Sequence, residues 1–172
     1  VESPSITIRH LTADDAALFR SLRLEALERE PQAFASSHSD WSRMTEEDWR
    51  ARLEAVDVFA AFRDGEPAGL MGLAREQGSK TRHRGLLIMV YVRASHRACG
   101  VGDRLIEAVI ARARAKGMRQ VELMASAENP AAIGLYRRNG FQPIGTMPAG
   151  MLHEGREIDE VIMVRRLIPS ET

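Results

Sequence analysis

Two stretches of this sequence carry residue types at spacings that can do chemistry. The first is Arg97-Ala-Cys-Gly100-Val-Gly102. Two glycines one residue apart let a backbone turn tightly and approach a ligand closely. The residues that follow begin an amphipathic helix, whose first N–H groups and partial positive charge suit a phosphate. Each such anion contact contributes about 0.3–1 kcal/mol, or about 2 when partly buried. A glycine turn that only links a strand to a helix has the same local sequence. Two other phosphate loops do not fit: a dinucleotide loop needs a third glycine where Leu105 stands, and a nucleotide-triphosphatase loop needs Lys-Ser/Thr where Asp103-Arg104 follow Gly102. The second stretch runs from Asn129-Pro130 through Tyr136 to Asn139-Gly140-Phe141. On its largely apolar helix face Tyr136 reads equally as a packing residue. Cys99 lies three residues from His96, in a loop shaped for phosphate rather than for a thiol nucleophile and its base. The five histidines show no metal-ligand spacing, so no metal is expected.

Composition narrows the classes. The chain has 172 residues with 24 Lys+Arg against 24 Asp+Glu, 44% hydrophobic and 28% charged, which fits one soluble globular domain. Zero net charge argues against a nucleic-acid partner. No apolar run approaches the length of a membrane span, and Val1–Ile8 lack the basic and long apolar regions of a leader peptide. With one cysteine there is no internal disulfide, and a cytoplasmic location is expected. The neutrality is a cancellation: residues 1–84 carry 12 basic and 15 acidic side chains, residues 85–172 carry 12 and 9. Arg93–Arg119 holds seven basic residues and two acidic ones. Such a cluster is either a solvated helix face or an anion site.

The elements that must position these residues follow from periodicity. Ser5–His10 alternates as a strand, and Thr12 before two aspartates opens a helix running to about Glu30, where Pro31 stops it. Residues 31–44 read as a polar loop with two aromatics. Thr45-Glu-Glu-Asp caps a short helix through Trp49 and Leu53. Val58–Arg63 and Pro67–Arg75 form a hairpin about Asp64-Gly65. Gly85–Val92 is a nearly continuous apolar run, as expected of a central strand covered on both faces. A helix from Val101 to about Lys116, a strand at Gln120–Ala125 and a helix after Asn129-Pro130 follow. Strands at Phe141–Thr146 and Ile158–Arg165 close the chain, joined by a Pro/Gly/Met loop. The crossover between residues 85 and 125 requires one parallel, right-handed pair. The fold class is therefore α/β with a mixed sheet.

The stretch Arg97–Gly102 resembles the Gln/Arg-x-x-Gly-x-Gly/Ala signature of the GNAT superfamily of N-acetyltransferases. It stands between strand and helix as in that family, and Asn129 to Phe141 supplies a second family feature at the expected distance. The resemblance covers nearly the whole chain and implies a single domain over residues 5–166. It implies a mostly antiparallel sheet of six to seven strands, flanked by about four helices, with a parallel central pair that splays apart. It further implies an acetyl-CoA-dependent enzyme acting on a small-molecule amine; the alternatives are a protein N-terminus or lysine as acceptor, or a CoA-binding homologue without turnover. By the same resemblance Arg97, Ala98, Cys99, Gly100, Val101 and Gly102 hold the pyrophosphate of coenzyme A through backbone N–H groups. Val90, Tyr91 and Val92 pair with the pantetheine arm like an added strand, and Asn129 contacts it. Tyr136 is the acid that protonates the departing thiolate. The segments 34–41 and 147–156 form the acceptor wall, which makes Phe34, Ser37 and Trp41 candidate substrate residues; as residues alone they fit a surface loop equally well. Ala98 and Asp103 depart from common family usage. No general base is evident. Some relatives carry a glutamate early in the central strand, where Gly85-Leu-Leu-Ile stands here; Glu122, Glu76 and His83 are the remaining candidates, each with a surface charge as its plainer reading. Expected partners are a small-molecule amine or a peptide and a second copy of the chain, with no nucleic acid and no membrane.

Overall fold

A computed structural model describes residues 5–167, so Val1–Pro4, part of the stretch read for a leader, lie outside the described residues. Seven strands form one sheet: β1 (Ile6–His10), β2 (Asp57–Arg63), β3 (Glu66–Arg75), β4 (Arg84–Val92), β5 (Gln120–Ser126), β6 (Gln142–His153) and β7 (Arg156–Arg166). Their order across the sheet is β1-β2-β3-β4-β5-β7-β6. All pairs are antiparallel except β4–β5. The mixed, mostly antiparallel sheet with one central parallel pair is the expected architecture.

Five helices flank it: α1 (Ala16–Arg29), α2 (His38–Ser42), α3 (Glu46–Ala55), α4 (Val101–Ala115) and α5 (Pro130–Arg138). On one face, α4 buries the stripe Val101, Leu105, Ile106, Val109, Ile110 and Ala113. These side chains share a core with Leu87, Val121, Leu123, Tyr136, Phe141 and Met163. The other face carries a second core under α1–α3, built on Phe19, Leu22, Trp41, Trp49, Leu70, Met89 and Tyr91. Strand β4 thus contributes to both cores, which is why its sequence lacks a polar face.

Local chemistry sets the element ends. Thr45 and Asp48 form a reciprocal capping box at the start of α3. Asp64 and Gly65 both take positive φ in the β2–β3 turn, as a tight hairpin requires. Residues 31–44 differ from a plain loop: Pro31–Ala33 is a single helical turn, and Ser37 caps α2 by accepting the Asp40 N–H. The 147–156 segment also differs. It is the continuation of β6 through a bulge between Met147 and Met151, turning at Glu154-Gly155. Pro148 is tolerated because β6 is an edge strand, where a missing N–H leaves no ladder bond unmade.

Candidate active site

The two central strands pair over only three residues, Arg84–Leu86 with Gln120–Glu122. Beyond Leu86 and Glu122 they diverge, and the backbone edge of β4 toward β5 is left open. A cavity of about 870 Å³ fills the opening. Val90, Tyr91 and Val92 line one side, Ser126, Glu128 and Asn129 the other, and the Arg97–Gly102 loop with the start of α4 closes one end.

The end of β4 is fixed from behind. The Arg93 N–H donates to the Ala68 carbonyl at 2.9 Å. Strand alternation therefore turns the Val92 N–H and carbonyl to the open side. Gly69 lies against this segment so closely that a Cβ there would sit 2.4 Å from the Tyr91 carbonyl oxygen. Met89 has φ +55°, and the β3–β4 register shifts between Leu70 and Gly72, so the strand bulges just before the cavity. Glu25 of α1 accepts from the Tyr91 hydroxyl at 3.0 Å and from Arg93 at 2.8–3.2 Å, and Arg93 also donates to the Pro67 carbonyl. Burial pushes the Glu25 carboxyl up, but the bonds from Arg93 and Tyr91 outweigh it and hold it below its ordinary value. Burial and the bond to Glu25 push the Tyr91 hydroxyl up to about 12.

At the signature loop, Gly100 has φ +89° and is the residue before the first turn of α4. Ala98 also takes a positive φ, +56°. Gly102 packs on α5: a Cβ there would meet the Leu135 side chain at 3.0 Å. The glycine spacing thus serves both the turn and the contact between α4 and α5. The N–H groups of the first α4 turn have no helical partners, and Gly100, Gly102 and Asp103 line the cavity at that end.

The basic stretch 93–119, read from sequence as either a solvated helix face or an anion site, is largely taken up in ion pairs. The Arg97 side chain lines the cavity, but its guanidinium donates to the Val92 carbonyl at 2.9 Å and pairs with Glu30. Arg93 pairs with Glu25, and Arg112 and Lys116 pair with Asp57. Four of the seven basic residues in 93–119 are therefore matched to carboxylates of the acidic first half. Asp103 lines the cavity with its side chain still 38% exposed; Arg138 donates to it at 3.0 Å and Asn139 at 2.7 Å. The bond from Arg138 keeps its carboxyl low.

The remaining expected residues fall as follows. Asn129 lines the cavity and accepts the Ala132 N–H at 3.1 Å, which leaves its amide NH₂ for a ligand. Tyr136 is 5% exposed and packs in the core, with its ring against Phe141 at 6.0 Å between centroids; it is not itself among the residues lining the cavity, although Leu135 beside it is. Burial alone pushes its hydroxyl well above the ordinary tyrosine value, so it is protonated at neutral pH. Cys99 donates to the His96 carbonyl at 2.8 Å and accepts from Arg63, which makes it part of the loop's own bonding. Val101 is buried beneath the loop. Phe34 lines the large cavity and also a second one of about 290 Å³ bounded by Pro31, Gln32 and Gly150–His153. The other three candidate substrate residues line neither cavity. Trp41 is packed between Arg23 and Arg52 in the α1–α3 core, and Glu122 is bound by Arg84 at the closed end of β4–β5. Ser37 is occupied in capping α2. Sequence reading missed Glu30, Ser126, Glu128 and Arg138 at the cavity; only Glu128, adjoining Asn129-Pro130, carried a local signal.

Comparison with known proteins decides the family. The model of the acetyltransferase (GNAT) family matches residues 20–141. The chain belongs to this family. Among curated relatives, an L-methionine sulfoximine/L-methionine sulfone acetyltransferase of Pseudomonas aeruginosa is 40% identical over 83 residues, 48% of each chain. A mycothiol acetyltransferase of Brachybacterium faecium is 26% identical over 149 residues, 83% of this chain and 44% of that one. The matches thus span about half the length of these relatives. A GNAT-family acetyltransferase structure from Streptococcus pneumoniae superposes with TM-score 0.83 at 27% identity, covering 95% of this chain and 100% of that one. A Salmonella typhimurium structure, a putative acetyltransferase with its cofactor acetyl-CoA, reaches 0.79 at 21% identity over 97% and 96%. For this GNAT chain the open edge of β4, the helix start at Gly100 and the cavity between them fit an extended thioester ending in a pyrophosphate.

Proposed function

We propose that this GNAT chain transfers an acetyl group from acetyl-CoA to a primary amine of a small molecule by direct attack. The observation that carries the reading is the divergence of β4 from β5 after three paired residues, with the unpaired α4 N-terminus at its end. Backbone groups of Val90 and Val92 offer strand-like bonds to the pantetheine arm, and the N–H groups from Arg97 to Gly102 offer bonds to the pyrophosphate. The Val92 N–H, turned to the open side, polarises the thioester carbonyl as oxyanion charge develops. The amine nitrogen attacks the carbonyl carbon, the C–S bond breaks, and Tyr136 gives its proton to the sulfur. Protonation is a modest aid, because a thiolate of pKa about 8.5 already leaves well. A small-molecule acceptor is supported by the names of the curated relatives and by the size of the second cavity, about 290 Å³.

A cytoplasmic setting is supported by the single cysteine and the balanced charge. A homodimer is supported by Ile144, Met147 and Leu152, exposed at 67%, 44% and 73% on edge strand β6. The deciding experiment measures CoA release from acetyl-CoA with a panel of amines, amino acids and peptides. Turnover with small amines is expected. Tight acetyl-CoA binding without release against any acceptor overturns the transferase reading in favour of a binding homologue.

A further inference from the structure

We propose that Glu160 is the group that takes the proton from the acceptor's ammonium, standing on β7 between the wall of the large cavity and that of the second one. This rests on the transferase reading above. The placement follows from register. On β5, Ser126 lies directly opposite Glu160, and cross-strand partners share a sheet face. Ser126 lines the large cavity. On the other side the β6 bulge carries Gly150 over the Glu160 carboxylate, so closely that a Cβ on Gly150 would sit 2.5 Å from Oε2. Gly150 lines the second cavity. Glycine at this position leaves the space that the carboxylate occupies.

Glu160 is 8% exposed, and among the described residues no basic side chain pairs with it. The groups facing it are few. Ser126 stands opposite on β5, and further along that face Glu122 is bound by Arg84. Beyond β5, Glu128 is bound by Arg156. On β6, Met147 and Gly150 adjoin it and His153 lies in the second cavity. Asp159 points to the opposite face, where it accepts the Ala149 N–H. Burial pushes the Glu160 carboxyl above its ordinary value. A buried carboxylate without a cation is costly, and an incoming ammonium supplies the missing partner.

The chemistry balances. A primary alkylammonium gives one proton to the Glu160 carboxylate, leaving a neutral amine and a protonated acid. The amine nitrogen forms the C–N bond as the C–S bond breaks. Tyr136 gives its proton to the sulfur, the nitrogen's surplus proton restores Tyr136, and Glu160 releases the proton it took to water, which leaves amide, thiol and one proton. Without such a base, deprotonating an amine of pKa about 10.4 at pH 7 costs about 4.6 kcal/mol. The second cavity, walled by Pro31, Phe34 and Met151 but also by Gln32 and His153, fits an amine bearing a compact side chain with a polar group.

The test is the pH dependence of kcat/KM for Glu160→Gln with an alkylamine that the wild type acetylates. In the wild type kcat/KM should be level between the carboxylate and amine pKa values. In Glu160→Gln it should be about 10²-fold or more lower at pH 7, and should rise about tenfold per pH unit toward the amine pKa. Acetyl-CoA affinity should be unchanged. Gly150→Ala, which displaces the carboxylate without removing it, should also lower kcat/KM, and it carries the test if Glu160→Gln does not fold. A level wild-type profile in Glu160→Gln, or an unaltered Gly150→Ala, overturns the proposal alone. Absence of turnover in the wild type overturns the transferase reading and this one with it.

Discussion

Gly100 is the position where a single methyl group should be most informative. Its φ of +89° lies in the left-handed region, and a Cβ there would meet only Ile6 Cδ1, at 3.9 Å. Gly100→Ala therefore adds backbone strain and no clash. An L-residue in this region costs about 1–2 kcal/mol, more than the roughly 0.4–1 kcal/mol gained from a less flexible unfolded chain. The strain has two outlets. If the loop holds its conformation, stability falls by about 1 kcal/mol, and Tm by about 2–4 °C for a domain of this size. If the loop relaxes, Tm is spared but one or more N–H groups at the start of α4 turn away from the pyrophosphate. Breaking each charge-assisted hydrogen bond costs about 1.5–3 kcal/mol, a factor of about 10 to 150 in affinity. The assay is thermal unfolding of the free protein together with calorimetric binding of acetyl-CoA. Gly134→Ala is the control for stability only, because Gly134 also lines the cavity: it lies within α5, and a Cβ there meets nothing within 4 Å. The same chemical change should raise Tm of the free protein, by about 0.5–1 kcal/mol of stability. Gly100→Ala with both Tm and acetyl-CoA affinity unaltered would refute the assignment of this loop.

Arg97→Met should weaken acetyl-CoA binding by less than about tenfold, equal to about 1.4 kcal/mol, because the guanidinium is already bound to Val92 and Glu30; a larger effect in calorimetry would show that it leaves them for the phosphate. Tyr136→Phe should lower kcat by about tenfold or more while acetyl-CoA affinity holds; an unchanged kcat in the CoA-release assay removes the acid role. Asp57→Asn should destabilise the fold by about 1–3 kcal/mol, below the 3–5 of a wholly buried pair, since Arg112 and Lys116 remain 38% and 34% exposed. Burial opposes the Asp57 charge, but Lys116 and Arg112 outweigh it, so the folded-state pKa is lowered. Its contribution is then present above the unfolded value near 3.9 and lost as pH falls through the folded value. The Tm gap between wild type and Asp57→Asn should close on acidification; a gap independent of pH contradicts the pairing.

What was legible in the sequence was what period and backbone chemistry dictate. The helix-period stripe of α4 and the apolar run of β4 specify both elements, and Asn129-Pro130 marks the start of α5. The signature glycines are readable for the same reason: few residues tolerate the φ of Gly100. Strand β6 was not readable past Thr146. Pro148 and Gly150 are loop residues by propensity, and only the edge position and the bulge reconcile them with a strand. Residues 31–44 hid α2 because a helix of five residues has too few turns to show a stripe. Glu160 had no signal of its own, since alternate positions of an amphipathic strand are where carboxylates ordinarily stand; its burial comes from a bulge on a neighbouring strand. Glu122 is the reverse case. Its type invited a role at the site, and its register with Leu86 places it at the closed end.

The charge asymmetry along the chain has a structural cause. The acidic first half and the basic second half meet in pairs separated by more than 50 residues: Glu25 with Arg93, Glu30 with Arg97, and Asp57 with Arg112 and Lys116. Two of these sites bracket the end of β4, where Arg93 also grips the Pro67 carbonyl and Arg97 the Val92 carbonyl. Their work is to aim a strand edge rather than to attract an anion. A cofactor held by such an edge and by helix N–H groups is recognised through fixed dipoles, which need no mobile counter-charge. Long-range steering by free lysines and arginines would weaken steeply with ionic strength. Here Arg93 and Arg97 are already neutralised. Among the described residues Arg63, against Cys99, is the basic side chain at the loop without a carboxylate, so acetyl-CoA affinity should fall with salt by no more than the loss of one such contact.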